Sequence, residues 1–263
     1  MSDDVSRETG GSSRPPGAIS RPPSVPDAAR RVFASERLDL AVRYTELLAT
    51  EGVVRGLIGP REAPRLWDRH ILNSAVLAEA IPESATVCDI GTGAGLPGLV
   101  VAIARPDLRV TLVEPLLRRT TFLDEVVAEL DLQHVSVVRG RAEDLHGQAT
   151  FDVVSSRAVA PLERLLGWSM PLVAPTGALV AMKGRSVHEE IASVADFLAT
   201  WRCGAPEVFE VGVGLVDPPT TVVRVPWADP SRIGWPLAPA ASRGVQRRNR
   251  RTRTSRNRSG EVS

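Results

Sequence analysis

The spacing of apolar positions changes once along the chain, near residue 83, and the change separates two kinds of structure. Before it, Leu38, Ala41, Val42, Thr45 and Leu48 recur at steps of three and four behind Ser35 and early acids. That spacing predicts an amphipathic helix ending at Gly52. The turn at residues 59–64 then leads into a second predicted helix. Trp67, Ile71, Ala75 and Ala78 line one face of it, and Asp68, Arg69, His70 and Asn73 mark the other, until Pro82 closes it. After residue 83, short apolar runs at 85–90, 110–114, 135–139, 151–155 and 178–183 alternate with helical stretches at 98–104, 117–130, 161–172 and 187–200. This rhythm predicts an α/β fold with a parallel, doubly wound sheet and ligands along the carboxyl ends of its strands. Two last runs, 207–213 and 221–225, lie too close together for a helical crossover and predict an antiparallel hairpin, for seven strands in all.

The two ends carry no such periodicity. Residues 1–30, rich in Pro, Ser and Gly, are expected to be a disordered leader, and residues 227–263 a disordered tail, Pro-rich and then Arg-rich. One domain is expected between them, with a helical prelude at 31–82 and an α/β core at 83–226. Charge is split along the same lines. Eight of the 32 basic residues fall between Arg243 and Arg258, followed only by the acid Glu261, which leaves residues 1–242 with 24 basic against 30 acidic groups. A mildly acidic body with a strongly basic tail suggests an arm for a polyanion. No apolar run is long enough for a membrane span, and the first residues lack the apolar core of a signal peptide, so a cytoplasmic, membrane-free protein is expected. Cys88 and Cys203, neither paired by spacing nor clustered with other ligands, are read as structural, and no metal site is expected.

The chemistry centres on the string Asp89-Ile90-Gly91-Thr92-Gly93-Ala94-Gly95-Leu96-Pro97-Gly98, between a predicted buried strand and a predicted apolar helix. A strand, a glycine-dense turn and a helix in that order bring backbone close to a bound ligand. Residues 93–98 also spell the G-x-G-x-x-G of a dinucleotide fold, which keeps an NAD(P)-dependent reductase as an alternative. Glu114, 23 positions after Gly91 at a strand end, would accept hydrogen bonds from ribose hydroxyls of either ligand. Arg157 has the small neighbours Ser155, Ser156, Ala158 and Ala160, which suggests a partly enclosed arginine rather than a surface one.

Four strings together carry a more specific signal: residues 65–74 (RLWDRHILNS), the loop DIGTGAGLPG, residues 140–144 (GRAED) and residues 156–162 (SRAVAPL). In this combination the chain resembles the bacterial RsmG (GidB) family of small-subunit rRNA methyltransferases over roughly residues 30–226. The resemblance implies a class I S-adenosylmethionine (SAM) methyltransferase fold, with SAM as cofactor and 16S rRNA or an assembling small ribosomal subunit as partner; a monomer is the default expectation, which nothing in the sequence fixes. It implies cofactor contacts from Asp89, Gly91, Gly93, Gly95, Leu96, Glu114, Ala142 and Glu143. Arg157 is implied both as a cofactor contact and as the catalytic residue. His70, Asn73 and Arg69 would frame the acceptor, and Arg118, Arg119 and Lys183 would face RNA phosphate. Two absences bear on the acceptor atom. The chain has no acidic-or-Asn, Pro-Pro, aromatic string after its fourth strand, since Asp217-Pro218-Pro219-Thr220 lies in the late hairpin and reads as a turn. Neither cysteine sits where a pyrimidine-directed thiolate would. An acceptor needing no activation, such as guanine N7, fits both absences. A non-catalytic RNA-binding protein on the same scaffold is the remaining alternative.

Overall fold

The computed structural model describes residues 24–157 and 159–234. The chain first folds as α1 (Asp27–Val32), α2 (Ser35–Leu47), which runs on as a π turn at Leu48–Gly52, and a broken helical passage from Ala63 to Ala80. Helix α1 begins inside the expected leader, because the fully buried Ala29 and the nearby Phe33 give this short segment an apolar anchor. The second expected helix is not uniform. It runs through a 3-10 turn at Ala63–Arg65, a π turn at Leu66–Ile71, α3 (Leu72–Ala75) and a 3-10 turn at Val76–Ala80, although Trp67, Ile71 and Ala75 are buried as their spacing predicts.

The α/β part follows the expected alternation: β1 (Thr86–Ile90), α4 (Gly98–Ala104), β2 (Arg109–Glu114), α5 (Leu117–Glu129), β3 (Val135–Arg139), β4 (Phe151–Arg157), α6 (Leu162–Ser169) and β5 (Val173–Met182). The helix expected at 187–200 is two, α7 (Val187–Ser193) and α8 (Ala195–Trp201), broken at the buried Val194. Strands β6 (Glu207–Val211) and β7 (Thr220–Pro226) form the antiparallel hairpin. The sheet order is β3-β2-β1-β4-β5-β7-β6, with β1 to β5 parallel and β7 antiparallel to β5. This is the class I SAM-dependent methyltransferase fold that the strand rhythm and the four strings led one to expect.

Side chains alternate across the sheet and fill a core on each face. Val87, Leu112, Val153 and Val180 pack against the prelude, α4 and α5, whereas Cys88, Val113, Val154 and Leu179 pack against α6, α7 and α8. The domain also runs past its expected end at 226. Trp227 is buried and its indole N–H donates to the Val173 carbonyl at 3.1 Å, so residue 227 belongs to the core. The Arg-rich tail lies outside the described residues, as does the leader up to residue 23. Among the described residues, no helix is long and apolar enough to cross a membrane.

The join between β1 and α4 is tightly packed. A Cβ at Gly98 would lie 2.6 Å from the Asp89 Cβ and 2.6 Å from Leu112 Cδ2, both well inside contact distance. Gly98→Ala is therefore expected to destabilise the domain by about 1–3 kcal/mol through overpacking. Gly167→Ala, on α6 with no atom within 4 Å of the added carbon, should be neutral or gain about 0.5–1 kcal/mol from helix propensity. Urea denaturation of the two variants tests the contrast, and equal midpoints would remove it.

Candidate active site

The glycine loop leaves β1 at Ile90 and enters α4 at Gly98, and a buried carboxylate lies beneath it. Asp89 is completely inaccessible. Its Oδ2 accepts the Gly98 N–H at 2.9 Å and its Oδ1 accepts the Ser155 hydroxyl at 3.0 Å. The second contact is a consequence of register, because Asp89 and Ser155 are partners across the β1–β4 ladder. Asp89 thus braces the loop from below and does not face a ligand, which corrects its expected role. Burial pushes its carboxyl pKa up to about 6 against these hydrogen bonds. Gly95 is corrected in the same way. A Cβ there would meet the Tyr44 hydroxyl at 2.7 Å and Leu99 Cβ at 2.9 Å, so this glycine serves close packing beneath the loop. Tyr44, buried on α2, donates its hydroxyl to the Ala94 carbonyl at 2.5 Å and ties the prelude to the loop. Its importance could have been read from a hydroxyl on the buried face of an amphipathic helix, where it needs a partner.

Above the loop, two clefts open on the carboxyl edge of the sheet. The first, about 630 Å³, is lined by Ile90, Gly91, Glu114, Leu116, Arg119, Gly140, Ala142, Glu143, Val159 and Trp168. Gly91 has φ +65°, and a Cβ there would run into Val159 Cγ1 at 2.8 Å, so the narrow floor of this cleft requires glycine. Glu114, at the end of β2, lines this cleft, unlike Asp89, although only 1% exposed; it accepts from the Gly93 N–H and the Leu116 N–H, each at 3.1 Å, and pairs with Arg119 at 3.3 Å. Arg119 is therefore tied to the strand-end carboxylate, with 38% of its side chain exposed. Arg118 is exposed and lines neither cleft.

The second cleft, about 960 Å³, is more polar. Its walls include Glu62, Arg69, His70, Asn73, Thr92, Gly93, Leu96, Lys183, Arg185 and residues 218–221. The π turn at Leu66–Ile71 carries Arg69 and His70, and such widened turns recur at functional sites. Asn73, on α3, accepts the Thr220 hydroxyl at 3.2 Å, which joins the prelude to the start of β7. The Pro-Pro string is a bend running into β7 rather than a closed turn, and Pro218, Pro219 and Thr220 form cleft wall, which nothing in their sequence signalled. Lys183 is buried. Its Nζ pairs with Glu190 at 2.6 Å and donates to the Ala160 carbonyl at 3.3 Å, so it pins α7 and the loop after β4 to the end of β5 and does not reach for phosphate.

Among the described residues, Gly91 and Arg157 alone line both clefts. Arg157 is the last residue of β4, in register with Met182, rather than a loop residue beyond the strand. Its Nη1 donates to the Arg69 carbonyl at 3.4 Å and its Nη2 lies 3.2 Å from His70 Nδ1. His70 Nε2 lies 3.0 Å from Glu62 Oε2, so both ring nitrogens are occupied within the protein. Glu62 also pairs with Arg69 at 3.4 Å. Burial, and next the Arg157 charge, hold the His70 pKa below its ordinary value, and burial lowers that of Arg157. No sequence spacing marked Glu62, which meets His70 only through the turn that separates them. Among the described residues, no group of three His, Cys, Asp or Glu could hold a metal ion.

The family model of rRNA small subunit methyltransferase G matches residues 37–203, more than half of the chain and all of the loop region. The chain belongs to this family. A ribosomal RNA small subunit methyltransferase G of Nocardioides sp. is 65% identical over 248 residues, covering 94% of each chain. Its namesake from Salinispora tropica is 55% identical over 242 residues, covering 89% of this chain and all of the relative. A crystal structure of M. jannaschii TYW2 in complex with AdoMet is similar at 16% identity with a TM-score of 0.48, covering 59% of this chain and 74% of that one. The family's residue range includes the β1–loop–α4 unit and ends two residues beyond α8, so the loop brace and both clefts' β1 to β5 walls fall within it.

The electrostatics of the brace give a pH signature. With its folded pKa raised to about 6 from an ordinary 3.8, Asp89 binds more proton folded than unfolded between those values. Its favourable contribution is complete below pH ~4 and is lost as pH rises through ~6, a swing on the order of 1–3 kcal/mol. Asp89→Asn keeps an acceptor for Gly98 and a donor for Ser155 but cannot titrate. It should abolish this part of the pH dependence, measured as the difference in unfolding free energy between the variants from pH 4 to 7. A constant difference would mean that Asp89 does not titrate in that range.

Proposed function

We propose that this chain transfers the methyl group of SAM to N7 of a guanine in 16S rRNA. The observation that carries the reading is the meeting of two unlike clefts at Gly91 and Arg157. The smaller offers what an adenosine needs: the Glu114 carboxylate for ribose hydroxyls, apolar walls at Leu116, Val159 and Trp168, and the Ala142 backbone beside Glu143 for the base. Its residues therefore fit SAM. When bound, SAM supplies an electrophilic methyl on a sulfonium centre. The larger cleft has ample room for an extruded nucleotide.

Guanine N7 has a lone pair in the ring plane and no proton, so alignment rather than a general base is the requirement. The site agrees with that demand. Both nitrogens of His70 are held by Glu62 and Arg157, and the Asp89 carboxylate is sealed beneath the loop. Arg157, common to both clefts, is assigned to orient the two reactants, with Asn73 framing the acceptor. N7 lies in the deep groove of A-form RNA, so the target is a guanine in a loop or flipped out, as in the decoding region. Arg69 and Arg185, at the wall of the larger cleft, replace Lys183 as the groups offered to phosphate.

Mapping methyl groups on rRNA from cells with and without the gene tests the acceptor. A lost N7-methylguanine supports it, and loss of a methyl on an exocyclic amine or a ring carbon overturns it. Titration with SAM and with NADH tests the cofactor against the reductase alternative. Arg157→Ala should lower turnover on rRNA roughly 10²-fold, the scale of losing a positioning group, with a nearly unchanged melting temperature. Wild-type turnover would remove Arg157 from the site.

The eight arginines between Arg243 and Arg258 lie outside the described residues and are proposed as an electrostatic arm. Deleting residues 241–263 should weaken RNA binding and flatten its salt dependence while leaving SAM affinity and the methylated position unchanged. Identical salt slopes for full-length and truncated protein would show the tail to be inert.

A further inference from the structure

We propose that Glu62 and His70 form a positioning relay that holds Arg157 at the junction of the two clefts, with His70 neutral and protonated on Nε2. The inference rests on the reading of Arg157 as the group that orients the reactants. Its basis is a line of three side chains: Arg157 Nη2 at 3.2 Å from His70 Nδ1, and His70 Nε2 at 3.0 Å from Glu62 Oε2.

A guanidinium has donors only, so Nδ1 must accept. The one remaining ring proton is then on Nε2, aimed at a carboxylate that only accepts. Donor and acceptor match at every link, and reversing the tautomer would set a proton against a proton at Arg157. The charges around the ring are consistent with this state. Arg157 approaches from β4 and Arg69 from the π turn itself, and both oppose a second positive charge, while Glu62 from the preceding turn favours the proton already directed at it. His70 is largely buried, with 17% of its side chain exposed, so its orientation is set by these partners more than by water.

The relay answers a mechanical need. An arginine has a long, flexible side chain and many rotamers, and Arg157 stands at the end of a strand between two open clefts. Its Nη1 contact with the Arg69 carbonyl, at 3.4 Å, is a long one. A second tie from the opposite end of the guanidinium fixes its plane. Glu62 fixes the tie by selecting the tautomer, as a carboxylate does for a histidine in other sites where the far nitrogen has a task. Protonation of His70 would turn Nδ1 into a donor and free Arg157 from the ring.

The test compares wild type, Glu62→Gln, His70→Ala and His70→Asn on rRNA under single-turnover conditions from pH 5 to 8, with Arg157→Ala as reference. Wild-type rate should fall at low pH as His70 is protonated. His70→Ala should lose on the order of tenfold to hundredfold in rate, the scale of a misplaced reacting group. His70→Asn, whose amide oxygen can replace Nδ1 as acceptor, should recover a large part of that loss and show a flatter acid limb. Glu62→Gln should slow the reaction and move the acid limb. If the alanine and asparagine variants fall equally, or all variants keep the wild-type pH profile, the relay is wrong. If Arg157→Ala itself has wild-type rate, the underlying assignment of Arg157 fails instead, and the two failures are distinct.

Discussion

The structure depends on one buried carboxylate. Placing Asp89 out of water carries a cost that must be offset locally, and the offset comes from a helix-start N–H at Gly98 and a hydroxyl on the neighbouring strand at Ser155. These two bonds lock three segments, β1, α4 and β4, into one geometry. Gly98 can approach only because it has no Cβ, so the brace and the glycine are a single requirement. Everything above the brace follows from it: the path of the loop, the floor at Gly91, and the position of the β4 end that carries Arg157.

The prelude shows how a second structural unit can be made to finish a site. Tyr44 reaches from α2 to the Ala94 carbonyl and packs against Gly95, which gives the loop a second tie besides Asp89. The π turn after it supplies Arg69 and His70, and Asn73 meets Thr220 across the mouth of the larger cleft. Without these contacts the α/β layers would still present a strand-end carboxylate and a glycine loop. They would lack a wall for the second reactant.

Charge at the site is mostly spent within the protein. Lys183 is neutralised by Glu190, Arg119 by Glu114, and Glu62 is shared between His70 and Arg69. A cation engaged with a buried or half-buried partner holds elements together and has little left for phosphate. A basic residue near a strand end is therefore a weak guide to RNA contact, and the groups proposed for it are the exposed Arg185 and Arg69, whose pair with Glu62 is long at 3.4 Å and leaves half of its side chain accessible.

Much of the fold was legible before any coordinates. Short apolar runs alternating with helical stretches located all seven strands and the main helices, and the hairpin followed from a connection too short for a crossover. The same local logic found the glycine loop, Glu114 and Arg157, because each is tied to the end of a predicted strand. Side-chain partnership was not legible. Asp89 and Gly95 look like ligand contacts in a motif and are packing elements in the fold; Lys183 looks free and is paired. Glu62, Tyr44 and the Pro-Pro string acquire their roles only where distant segments meet. The amino-acid sequence determined the elements, their order and the chemistry available at the strand ends, since these depend on local periodicity and composition. Which groups face a ligand and which are spent on one another was decided by the tertiary structure, because burial and pairing depend on contacts between residues far apart in the chain.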